Sequence, residues 1–98
     1  MLTLTDCKDK LSNFKQVSAN DFGIRRIGIF GSVARGENKE NSDIDIVVEF
    51  EKPTLSLIYN LKETLKGIFN CDADLVHYRE SLRAALKYKI KKEAIYVW

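Results

Sequence analysis

Few of the residues that anchor specialised folds occur here: two cysteines, one proline, one histidine, one tryptophan and one methionine in 98 residues. Cys7 and Cys71 lie far apart without the spacing of a metal knuckle, and two thiols do not make the disulfide framework of a small secreted domain. No apolar run approaches the roughly 20 residues that a membrane helix needs, and no leader-like segment opens the chain. These absences predict a cytoplasmic protein with reduced thiols and no membrane contact. Charge of one sign is also missing. Sixteen Lys and Arg against 14 Asp and Glu leave a net charge of +2, too slight a bias to argue for nucleic acid as a partner. There is no aromatic stacking platform for single strands either.

What is present is ordinary globular material. Hydrophobic residues make up 45% and charged residues 31%, which excludes disorder and predicts one domain over residues 1–98 with room for a core. Leu4, Cys7, Leu11, Phe14 and Val17 form a helical stripe over 4–18, with Thr3 or Thr5 as cap and a break at 20–23. Residues 24–30 read as a buried strand. The polar stretch 37–42 reads as a loop, and 43–50 as a second strand. Pro53 fits the first turn of a helix whose stripe is Leu57, Leu61, Leu65 and Ile68, with Gly67 as terminator. A strand at 72–78, a helix at 80–93 and a short closing strand at 95–97 complete the order. This predicts an α/β (α+β) fold, a small mixed sheet with helices packed on one face and the other face open.

The chemistry concentrates between the first two strands. Gly31-Ser32 ends the first, where glycine permits close ligand approach and free N–H groups at a helix start face an anion. Asp43 and Asp45 then project from one face of the second strand, roughly 6.6 Å apart along it. Ile44, Ile46, Val48 and Phe50 form the apolar row behind them. Two like charges side by side in a strand are disfavoured unless a cation joins them, and this separation suits two divalent ions about 3.5–4 Å apart. A phosphate-holding turn beside a metal-holding strand predicts a nucleoside triphosphate bound with its metal. Arg35 either neutralises triphosphate charge or pairs with Glu37 or a backbone carbonyl. Ser42 orders the loop before the aspartates or touches the nucleotide. A third carboxylate is open between Asp72 and Asp74, which share a face.

The Gly31-Ser32 turn, the spacer and the Asp43-Ile44-Asp45 strand resemble the polymerase-beta-type nucleotidyltransferases, in particular their minimal nucleotidyltransferase (MNT) branch. Ala34-Arg35-Gly36 and the closing Lys92-Glu93-Ala94-Ile95-Tyr96-Val97 share the family's texture, so that the resemblance spans about residues 24–97. It implies the nucleotidyltransferase core, with the two motif strands antiparallel, and it favours Asp74, directly before Leu75-Val76, as third carboxylate. It further implies catalysis by Asp43, Asp45 and Asp74, which would hold two Mg²⁺. Gly31, Ser32, Arg35 and Ser42 would face the nucleotide, and AMP would pass from ATP to a hydroxyl.

The resemblance to the minimal branch implies a HEPN-domain partner, often an RNase toxin, because some members of that branch act as antitoxins by transferring AMP to a tyrosine of the toxin. The acceptor surface must then come from a partner polypeptide or a second copy in a homo-oligomer. The alternative is an antitoxin that binds nucleotide without turnover and neutralises its partner by occlusion. Three residue sets carry blander readings. The lone His77 reads as a packed residue, and Tyr78 as a rim aromatic or a base-stacking one. Arg79, Arg83, Lys87 and Lys91, flanked by Lys89 and Lys92, form a basic helix ridge that is either solvated or docks an acidic partner or RNA.

Overall fold

A computed structural model of the chain describes residues 3–39 and 43–97, apart from the Ala19 side chain. Helix α1 (Leu4–Phe22) leads into β1 (Ile24–Phe30), the short α2 (Gly31–Arg35) and β2 (Ile44–Phe50). Helix α3 (Leu55–Phe69), β3 (Ala73–His77), α4 (Ala84–Glu93) and β4 (Ile95–Tyr96) follow. The strands form one mixed sheet in the order β3-β2-β1-β4. β1 is antiparallel to both β2 and β4, and β2 is parallel to β3, so α3 is the crossover between two parallel neighbours.

Strand alternation sorts the side chains as expected. Ile44, Ile46, Val48 and Phe50 enter one core with Ile27, Ile29 and Ala73, beneath Cys7, Leu11 and Phe14 of α1 and Leu61, Leu65 and Phe69 of α3. That core provides the rigid floor for whatever the opposite face carries. The opposite face is not wholly open. Ile90 of α4 packs there on Phe30 and Val47, joined by Val76, Tyr78, Leu82 and Leu86. The expected layer of helices therefore stands, while one further helix crosses part of the aspartate face.

Helix ends depart from the sequence reading for local reasons. α1 runs on to Phe22, and Val17, expected in its stripe, is 80% exposed. Of its two candidate caps, Thr3 acts: its Oγ1 accepts from the Asp6 N–H at 3.1 Å. α3 begins beyond Pro53, because Thr54 Oγ1 accepts from the Leu57 N–H at 3.1 Å and makes Thr54 the cap. It also runs through Gly67 to end at Asn70, which adopts the left-handed conformation at φ 55°. α4 starts at Ala84 rather than 80, so Arg79 and Arg83 lie outside its helical turns and the basic ridge is broken. Arg79 instead turns back, donating to the His77 carbonyl at 2.9 Å and to Ser81 Oγ at 3.1 Å. Among the described residues, no helix is long and apolar enough to cross a membrane.

Candidate active site

The parallel pairing of β2 and β3 sets Asp45 directly beside Asp74. Antiparallel pairing of β1 and β2 sets Phe30, the residue before the turn, opposite Asp45 on the other side. The chain turns sharply at Gly31, with φ +75°. A Cβ at Gly31 would fall 2.0 Å from Asp45 Oδ2, so the carboxylate occupies the space that any larger residue would fill. Gly31 is therefore required twice, once by its backbone angle and once by Asp45. Ser32 follows it, half-buried, in the first turn of α2.

Asp43 lies exposed just ahead of β2, and Asp74 is exposed on β3, whereas Asp45 is half-buried. Burial, then the charge of Asp74 and more weakly that of Asp43, holds the Asp45 carboxyl above its ordinary pKa of 3.8. The fields of Lys89 and, to a lesser degree, Arg35 oppose that shift. Asp72 is directed elsewhere. Its carboxylate pairs with Lys66 of α3 at 3.7 Å and its carbonyl accepts from the Ile44 N–H at 3.1 Å. The two aspartates that the sequence left open are thus separated by what they touch.

Arg35 takes the pairing alternative and extends it. Its Nε donates to Glu37 Oε1 at 2.7 Å, and a second guanidinium nitrogen bonds Glu93, at the end of α4. These two carboxylates raise its pKa further. The Glu37 contact was visible in the sequence. Glu93, 58 residues away, carried no signal of its role. Ser42 lies outside the described residues. His77 packs against the Phe50 ring, centroids 5.5 Å apart, with its pKa lowered first by burial. Tyr78 belongs to the small core under α4. Cys7 and Cys71 are both free thiols.

Among the described residues, no set of three His, Cys, Asp or Glu side chains is arranged as a ready-made metal site. The donor chemistry nevertheless suits a hard divalent cation. Asp45 and Asp74 offer only oxygen, from adjacent registered positions, and their mutual repulsion is what a cation would relieve.

The sequence model of the "Polymerase beta, Nucleotidyltransferase" family matches residues 12–98. The chain belongs to that family. The protein adenylyltransferase MntA of Thermococcus cleftensis is 40% identical over 98 residues, covering 99% of this chain and 98% of the relative. A solved chain described as a candidate minimal nucleotidyltransferase superposes with a TM-score of 0.79 at 33% identity, covering 96% of this chain and 95% of its own. A toxin–antitoxin complex crystallised with AMP-PNP gives a TM-score of 0.76 at 26% identity, over 93% of this chain and 72% of that one. A complex of a tri-AMPylated Shewanella oneidensis HEPN toxin with its MNT antitoxin gives 0.70 at 21% identity, over 98% and 72%, a likeness of fold. This member of the nucleotidyltransferase family is thus a nucleotidyltransferase on the MNT scaffold, and the strand pairing expected of that scaffold is the one observed.

Proposed function

We propose that this nucleotidyltransferase moves AMP from ATP to a tyrosine hydroxyl of a HEPN-domain toxin, and so acts as the antitoxin of that pair. The observation that carries the proposal is the convergence of Asp45, Asp74 and Gly31 at one point of the sheet. Support for the acceptor comes from the relative named as a protein adenylyltransferase and from the AMPylated toxin in complex with an MNT protein.

Asp43, Asp45 and Asp74 would hold two Mg²⁺, which when bound neutralise triphosphate charge and make the α-phosphorus more electrophilic. The turn at Gly31-Ser32 receives the β and γ phosphates, with Gly31 leaving space for the Asp45 carboxylate beside them. Arg35, fixed by Glu37 and Glu93, braces α2 against α4 and keeps that turn in place. Asp74, exposed on β3, faces the acceptor and takes the proton of its hydroxyl. The acceptor oxygen bonds to the α-phosphorus as the α–β bridging bond breaks, and pyrophosphate leaves with the bonding electrons. The partner supplies the tyrosine and the surface that presents it. Two free thiols suit the reducing cytoplasm, where ATP is at hand.

Release of pyrophosphate from ATP and Mg²⁺, measured with and without the acceptor protein, tests the chemistry. Acceptor-dependent release that falls about 10²–10⁴-fold in Asp74→Asn supports the assigned proton transfer. Unchanged release in that variant would remove Asp74 from the reaction.

A further inference from the structure

We infer that Lys89, on α4, is the cation that receives the terminal phosphates of the nucleotide beside Asp45. The inference rests on the triphosphate reading above and adds a substrate-binding residue to it. A side-chain cation beside the turn would add to the charge that metal ions and backbone N–H groups offer a triphosphate, and Arg35 is the residue that the turn itself carries. Arg35 is committed: it pairs with Glu37 and with Glu93. A guanidinium already balanced by two carboxylates has little net charge to give a phosphate.

Lys89 differs in each respect. Its Nζ stands 6.0 Å from the centroid of the Phe30 ring, and Phe30 is the direct cross-strand neighbour of Asp45 and the residue before Gly31. The next residue, Ile90, is 1% exposed and packs on Phe30 and Val47, so the helix is pinned to the sheet at this point. Lys89 is itself exposed, and among the described residues no carboxylate lies within ion-pair distance of it. A flexible ammonium, held by its helix beside Phe30 and without a carboxylate partner among the described residues, is suited to a phosphate as a point charge. Lys87, two residues earlier on the same helix, instead pairs with Glu80 at 3.1 Å.

Titration calorimetry with ATP and with AMP, on wild type, Lys89→Gln and Lys89→Arg, tests this without requiring turnover. Loss of the contact is expected to weaken ATP about ten- to hundredfold, to leave AMP within about twofold, and to be largely restored by arginine. Lys62→Gln, which removes the same charge from exposed α3, should bind ATP like wild type. Glutamine retains helix propensity, and circular dichroism confirms that the variant is folded. Unchanged ATP affinity in Lys89→Gln, or equal losses for ATP and AMP, would overturn the role of Lys89 while leaving the triphosphate reading intact. Failure of wild type to bind any of the four triphosphates would overturn both together.

Discussion

Gly31 and Asp45 define the site at the level of single atoms. An added methyl at Gly31 meets Asp45 Oδ2 at 2.0 Å and also strains a backbone at φ +75°. Gly36 has nearly the same angle, +73°, with nothing within 4 Å of an added methyl. Gly36→Ala should therefore show only the backbone cost, about 1–2 kcal/mol in urea unfolding, whereas Gly31→Ala should exceed it and abolish transfer. Equal losses in the two variants would mean that the carboxylate is not confined as described. Asp45 carries a second prediction, worked from its raised pKa. Just above pH 3.8 the unfolded chain ionises this carboxyl while the folded one still holds its proton, so native stability falls as pH rises through that window. Asp45→Asn removes the effect. Without metal, the variant should match or exceed wild type at pH 7 and lose that advantage near pH 3; lower stability at pH 7 would mark Asp45 as structural. Cys7 behaves in the same direction at the other end of the scale, since burial first, then Cys71, pushes its thiol up to about 11. It should resist alkylation at pH 8 until the chain unfolds.

Among the elements, β2 and α4 divide the work. β2 has a buried row behind Asp45, and Ile46→Ala should cost about 2–5 kcal/mol while the folded protein still binds nucleotide normally. A melt like wild type would mean that the strand faces the other way. Ile90→Ala should cost a similar amount and also weaken ATP binding, because α4 carries both Lys89 and Glu93 toward the site. The facing of β2 was legible from alternation alone, because a period of two over an apolar row admits few alternatives; the strand ends were legible to within one residue, with Asp43 falling just ahead of β2 rather than in it. The role of α4 was not. Ile90 is a single buried residue among lysines, so the helix reads as solvated until the sheet beneath it is known. The limits of α3 were misplaced for a related reason. Pro53 and Gly67 are strong local signals, but a threonine cap one residue later and a left-handed Asn70 set the ends.

For the whole molecule, topology converts sequence distance into a site. The parallel β2–β3 pair brings Asp74 beside Asp45, and the Arg35–Glu93 pair ties the motif turn to the last helix. Gly31-Ser32 and the Asp-x-Asp strand were readable because they lie close in the chain. That Asp74 rather than Asp72 lies beside Asp45 is a matter of register, which the sequence could not show because both share one face of an isolated strand. Lys66 explains the difference, holding Asp72 toward α3. The core that results gathers two registered carboxylates beside the glycine turn, and the proposed reaction takes its acceptor from a partner. α-labelled ATP and Mg²⁺ should be mixed with the protein and the polypeptide that co-purifies with it from its native host, with Asp45→Asn alongside. Label on a tyrosine of that polypeptide, absent with the variant, is the predicted result. No label from any of the four triphosphates, with the variant still forming a tight complex, would contradict it and show an antitoxin that acts by occlusion.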